Sequence, residues 1–186
     1  MLFVLSAPSG TGKTTIARRI LPQFSGLRFS VSATTRPIRH REENGKDYHF
    51  LTHEEFRSEI EADGLIEWEE IFGNLYGSLK SEVDHAFASR EHLLFDVDVK
   101  GALRIKELYD GNAVLIFIRP PDLDVLRKRL EKRGTDTAEI IEKRLARAEL
   151  ELATASQFDF TVINDNLDRA IQQVAEIISQ KMNLKV

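Results

Sequence analysis

The chain has 186 residues, a formal net charge of -4, 42% hydrophobic and 30% charged residues, and no cysteine. That is enough chain for one domain with lobes and a core of its own, and the composition excludes disorder, disulfides and thiolate metal sites. The acidic balance offers no general attraction to nucleic acid or a membrane, no apolar run could span a bilayer and no leader pattern is seen, so a cytoplasmic protein with no evident obligate protein partner is expected.

The first apolar run, Leu2-Phe3-Val4-Leu5, reads as a strand buried on both faces of a parallel sheet. Ala7-Pro8-Ser9-Gly10-Thr11-Gly12-Lys13-Thr14 follows, and then a helical pattern over 13–21 that Pro22 ends. A strand, a glycine-rich turn and Gly-Lys-Thr opening a helix are what a phosphate-binding P-loop requires. Ala7 stands where the usual motif has Gly. Backbone N–H groups of such a loop converge on a phosphate, and the helix dipole adds to them. Lys13 brings a point charge to the outer phosphates, and the Thr14 hydroxyl can ligate Mg²⁺. The alternative, a plain glycine-rich turn, is disfavoured by the flanking strand and helix patterns.

A second strand is expected over 28–32. Residues 33–47 are polar and basic at the start, with a turn signal at Asn44-Gly45. Two readings are open for Arg36 and Arg39: a solvated surface loop, or an anion clamp of guanidinium forks. A short strand over 48–51 precedes a capping box at Thr52-His53-Glu54-Glu55, which starts a helix running to Ala62. Residues 65–71 alternate in part, putting Glu67 and Glu69 on one face and Trp68 on the other; a solvent-facing acid is the bland alternative for Glu67. A turn and short extended piece over 73–78 and a helix over 80–89 complete the block. Residues 33–90 interrupt a strand–helix alternation and read as an inserted lobe.

The alternation resumes at 93–98, a buried strand carrying Asp96 and Asp98 at its end. Ligands gather at the carboxyl ends of parallel strands, and carboxylates there can hold Mg²⁺ or its waters. Function is favoured for Asp96; for Asp98 a helix cap is the alternative, since a helix follows over 101–109. A strand over 114–118 stops at Pro120-Pro121. Helices over 123–132 and 138–153 flank a break at Gly134, and Arg127, Arg129, Arg133, Arg144 and Arg147 concentrate there. That pair is either a surface hairpin or a lid, 126–155, that brings arginines to phosphates. A strand over 160–163, ending at Asn164-Asp165, and a helix over 167–181 close the chain. The pattern predicts an α/β fold of the P-loop kinase kind: a five-stranded parallel sheet flanked by helices, with core segments 1–32, 91–125 and 156–186.

Several stretches together resemble the guanylate kinase family over essentially the whole chain. They are residues 6–14, 30–36 and 42–48, Ile66-Glu67-Trp68, 74–78, Asp96-Val97-Asp98, 129–135 and 162–165. The resemblance implies the P-loop nucleoside monophosphate kinase fold and phosphoryl transfer from ATP to GMP with Mg²⁺ as cofactor, and assigns the 33–90 lobe to GMP and the 126–155 hairpin to a lid. It implies ATP binding by Ala7, Pro8, Ser9, Gly10, Thr11, Gly12, Lys13, Thr14, Thr15 and Asn164. Arg36, Arg39, Tyr48 and Tyr76 would hold the GMP phosphate, and Ser32, Glu67, Ser78 and Asp98 would read the guanine. Lys13, Arg36, Arg129, Arg133 and Arg144 would act on the transferring phosphoryl group, with Thr14 and, through water, Asp96 at the metal. The chain departs from the family pattern at Ala7, at Pro37, which comes one place early, and at Lys100, where Gln is common. No role is assigned to any of the five histidines. The competing readings are a non-catalytic interaction module of the same family, which an intact Gly12, Lys13 and Thr14 argue against; a kinase for another nucleoside monophosphate, which Glu67 and Ser32 argue against; and a nucleic-acid-dependent ATPase, which the charge argues against.

Overall fold

The computed structural model describes residues 1–40, 42–71, 73–134 and 136–182, the side chains of Ile71 and Arg133 excepted. Among them, β1 (Leu2–Ser6), β2 (Leu27–Phe29), β7 (His92–Asp96), β8 (Ala113–Arg119) and β9 (Phe160–Ile163) form one parallel sheet in the order β2-β7-β1-β8-β9. These strands are continuous apolar runs because both faces are covered. Phe3, Leu5 and Ile116 point to one face, where they meet Ile16 and Ile20 of α1 (Lys13–Ile20) and Val174 and Ile178 of α7 (Leu167–Lys181). Leu2, Val4, Leu115 and Phe117 point to the other, against Val83 of α3 (Lys80–Ala88) and Ala102 and Ile105 of α4 (Val99–Leu108). Strand alternation thus supplies two hydrophobic layers from one set of residues.

A second sheet is inserted between β2 and β7. Its order is β4-β3-β6-β5, with β3 (Ala33–Thr34), β4 (His49–Phe50), β5 (Leu65–Ile71) and β6 (Asn74–Leu79). With α2 (His53–Glu61) it buries a small core of its own around Phe56, Leu65, Leu75 and Leu79. The capping box at Thr52 and Glu55 forms as the sequence predicts. A bulge between Leu65 and Glu67 breaks the strict alternation, so Leu65 pairs with Leu79 on the small-core face while Glu67, two residues on, pairs with Ser78 on the other; Ile66 enters the large core.

Helices α5 (Leu123–Arg133) and α6 (Ala138–Ala153) make the third packed unit, closed on Leu126, Leu130, Ile141 and Leu145.

Three local expectations are corrected. The second strand ends at Phe29 rather than at 32, because the chain leaves the parallel sheet there to begin β3. The expected turn and short extended piece over 73–78 is a hairpin strand, β6, paired along its length with β5. Helix α4 begins at Val99 rather than 101, since the Asp98 carboxylate accepts from the Gly101 N–H and caps it.

Candidate active site

The loop between β1 and α1 is held by its own contacts. The Thr11 hydroxyl donates to the Pro8 carbonyl at 2.6 Å, and Gly10 and Gly12 take φ values of 94° and 98°. Gly is required at both, since an L side chain is strained there. A Cβ at Gly10 would also meet Leu130 Cδ2 at 2.9 Å, so α5 lies directly against the loop. Ala7 is not among the positive-φ residues, so its backbone does not demand Gly. Asn164, 4% exposed, lies beside the loop; its Nδ2 donates to the Thr11 carbonyl at 2.7 Å.

Lys13 Nζ sits 2.6 Å from Asp96 Oδ1 and donates to the Val97 carbonyl at 2.5 Å, while the Thr14 hydroxyl donates to Asp96 Oδ2 at 2.7 Å. Asp96 at the end of β7 therefore faces both P-loop side chains, as parallel pairing of β1 with β7 dictates. Thr14 and Asp96 line two cavities at once. One, about 580 Å³, runs along the P-loop from Ala7 to Thr15 and on to Arg144 and Arg147. The other, about 640 Å³, is lined by Ser32, Arg36, Arg39, Tyr48 and Tyr76.

In the second cavity Arg36 is fixed by its neighbours. Its Nη1 and Nη2 donate to Glu42 at 3.0 and 2.8 Å, and its guanidinium lies over the rings of Tyr48 and Phe50 at 5.5 and 5.6 Å. The hydrogen bond from Arg36 holds the Glu42 carboxyl below its ordinary range, helped by the Arg39 N–H. Arg36 and Arg39 line one concavity, Arg39 with its side chain exposed to solvent.

Tyr76 and Ser78 alternate on β6 and share a face, so one strand leads from this cavity to Glu67. The Ser78 hydroxyl, fully buried, donates to Glu67 Oε1 at 2.7 Å. Burial, above all, pushes the Glu67 carboxyl up; Asp98 and Glu69 push the same way, against the Ser78 hydrogen bond. Glu67 and Asp98 line a third cavity of about 450 Å³ with Lys100, Gly101 and Trp68. Trp68 is 49% exposed; it pairs with Gly77, on the other face of β5 from Glu67. Asp98 does both things the sequence left open, capping α4 and facing a cavity.

The arginines of α5 and α6 reach the P-loop. Arg129 donates to the carbonyls of Thr11 and Asn164 at 3.4 and 2.8 Å, and Arg144 to the Ser9 hydroxyl at 2.9 Å. The side chain of Arg133 lies outside the described residues.

A family model described as guanylate kinase matches residues 1–181. The chain belongs to the guanylate kinase family. The guanylate kinase of Chlorobium luteolum is 50% identical over 184 residues, covering 99% of this chain and 93% of the relative. That of Chlorobaculum tepidum is 48% identical over 179 residues, covering 96% and 92%. Among solved structures, guanylate kinase from Anaplasma phagocytophilum matches with a TM-score of 0.75 and 30% identity, over 97% of this chain and 85% of that one. Shikimate kinase from Bacteroides thetaiotaomicron, with a TM-score of 0.53 and 15% identity over 99% of both chains, shares the fold.

Within this guanylate kinase family setting, two neighbours of the expected site residues have no role of their own in the sequence reading, although Glu42 lies in the 42–48 stretch and Arg147 among the arginines of the 126–155 pair. Glu42, which occupies the Arg36 fork, carries no spacing signal. Arg147 does: it lies one turn from Arg144 on α6, and its Nη2 stands 3.4 Å from Asp98 Oδ2. Two histidines have structural partners, His49 with Glu82 at 3.1 Å and His92 with the N-terminal amine at 3.0 Å.

Proposed function

We propose that this protein is a cytoplasmic ATP:GMP phosphotransferase in which the P-loop cavity holds the donor and the Arg36–Tyr76 cavity holds the acceptor phosphate. The observation that carries the reading is that the two cavities meet at Thr14 and Asp96. A donor and an acceptor phosphate bound on either side would face each other across that pair, the arrangement that in-line transfer needs.

The acceptor is already an oxyanion, so no strong general base is called for. Catalysis is positioning plus neutralisation of charge on the transferring group. Lys13 supplies a cation at the meeting point, Arg36 and Arg39 orient the acceptor phosphate, and Arg129 and Arg144, with Arg133, bring charge from the α5–α6 side. Exchange of the Arg36 fork from Glu42 to phosphate would keep its geometry, since both are planar or tripodal oxyanions of similar reach.

Mg²⁺ fits the same place. Thr14 Oγ1 and Asp96 Oδ2 converge to 2.7 Å, two hard oxygen donors of the kind this ion takes along with water and phosphate oxygens. Bound there, the ion would spread the negative charge of the phosphates. Among the described residues no group of three or more His, Asp or Glu side chains forms a separate metal cage.

The guanine end rests on Glu67. Guanine presents N1–H and an N2 amino group side by side, and one carboxylate can accept from both. Adenine lacks that pair of donors, leaving the buried charge unsatisfied. An assay across GMP, AMP, dTMP and UMP tests the assignment: GMP is expected to be the preferred acceptor by about 10³-fold or more. Lys13→Ala is expected to cut kcat by about 10²-fold or more in the same assay. Equal use of AMP would overturn the base assignment, and near-normal turnover of the lysine variant would overturn the site.

A further inference from the structure

Gly101 sits in the first turn of α4, where the core meets β5 of the inserted sheet. Two of the residues read as guanine contacts converge on it. Its N–H donates to Asp98 Oδ1 at 2.9 Å. On the other side, a Cβ at this position would meet Glu67 Cγ at 3.2 Å, Glu67 Cδ at 3.3 Å and Val97 Cβ at 3.3 Å. Its φ is not in the left-handed region, so the backbone itself does not demand glycine. As a helix residue, glycine is inferior to alanine. Local structure therefore gives no reason for glycine here, and the close approach of Glu67 gives one.

Neither neighbour can yield freely. The Glu67 carboxylate is tied to the buried Ser78 hydroxyl at 2.7 Å, and Val97 Cβ is anchored to the backbone at the end of the same loop that carries Asp98. We infer that Gly101 is a specificity-determining position of the acceptor site: the missing side chain sets where the Glu67 carboxylate stands, while the N–H sets the Asp98 carboxylate beside it. This rests on the reading of Glu67 as the base reader. Gly101 touches no substrate in this account and acts through Glu67, as a positioning residue.

Gly101→Ala separates its two functions, since alanine keeps the N–H and adds only the Cβ. Contacts of 3.2–3.3 Å require shifts of a few tenths of an ångström, which the fold absorbs and a two-donor hydrogen-bonding geometry does not. The expected result is a KM for GMP raised about tenfold, with the KM for ATP unchanged and the melting temperature unchanged or higher. Discrimination between GMP and inosine monophosphate, which lacks the N2 amino group, should narrow in parallel, because a displaced carboxylate loses its second acceptor contact first. Gly101→Ser carries the same Cβ and should show at least the same rise. An unchanged GMP KM in both variants overturns the inference. So does a fall in melting temperature with the ATP and GMP KM values rising together, the mark of a merely structural residue. If wild-type protein does not prefer GMP, the reading of Glu67 fails instead, and that control is run in the same plate.

Discussion

Glu67, the proposed base reader, is a single residue whose burial works against stability. Its carboxyl is pushed above the ordinary value of 4.5, first by burial and then by Asp98 and Glu69. A folded-state pKa above the unfolded one means that the folded protein binds the proton more tightly. The ionised group thus lowers stability; that penalty is full above the folded pKa and disappears as pH falls through it to the unfolded value. Glu67→Gln should therefore raise the melting temperature at neutral pH, and the gain should vanish in acid below 4.5, where the native residue is protonated in both states. The same variant should lose about 10²-fold or more in kcat/KM for GMP, with ATP affinity nearly unchanged. In wild-type protein the KM for GMP should climb in mild acid, at a higher pH than an ordinary glutamate would give. Melting curves and a pH series of the coupled assay measure all three; GMP kinetics that survive the substitution would place the base reader elsewhere.

Helix α6 shows the same logic for an element. Arg144 and Arg147 are three residues apart and so share a face, and that face meets the P-loop at Ser9 and the N-cap of α4 at Asp98. The helix keeps this orientation because Ile141, Leu145 and Ala148, on the flanking face, are buried against Leu126 and Leu130. Leu130 in turn lies against Gly10, so the hairpin core and the P-loop are packed as one contact. The two arginines should separate in kinetics. Arg144→Ala removes a charge from the P-loop cavity proposed for the donor and should lower kcat by about 10²-fold. Arg147 is 64% exposed and 3.4 Å from Asp98, so its pair is screened, and Arg147→Ala should raise the GMP KM by about fivefold at most. Steady-state kinetics with each nucleotide varied in turn will show whether the losses fall on kcat and on GMP KM as stated. Equal effects on both parameters would mean that α6 acts as a unit.

The molecule as a whole has three hydrophobic units, the two-sided sheet core, the small core around Phe56 and the helical pair, which meet at Ile66 and at Leu130 against Gly10. Such units can move relative to one another without breaking their interiors. On the proposed reading the arginines of the α5–α6 pair act on the donor phosphates at the P-loop and those of the 33–90 segment on the acceptor phosphate beside it, and we expect both pieces to close over the sheet core when both nucleotides bind. Small-angle scattering with a bisubstrate inhibitor should show a smaller radius of gyration than the free protein. An unchanged value would mean that the contacts of Arg144 with Ser9 and of Gly101 with Glu67 already represent the working geometry.

The sequence by itself determined the local, short-range features. Apolar runs flanked by helical periodicity can be buried on both faces only in a parallel α/β sheet, and a Gly-x-Gly-Lys-Thr turn at a helix start can cradle a phosphate using its own backbone. These depend on residues adjacent in the chain, so the pattern carries them. Tertiary structure alone decided what depends on distant segments meeting. The strands at 33–34 and 74–79 could not be read because two residues, or a run broken by Gly77, acquire strand geometry only by pairing. That Glu42 occupies the Arg36 fork, that Asp96 bridges Lys13 and Thr14 across 82 residues of chain, and that Gly101 makes room for Glu67 follow from which elements pack together. No periodicity in the sequence encodes those contacts, because each is set by the approach of two elements rather than by the preference of either one.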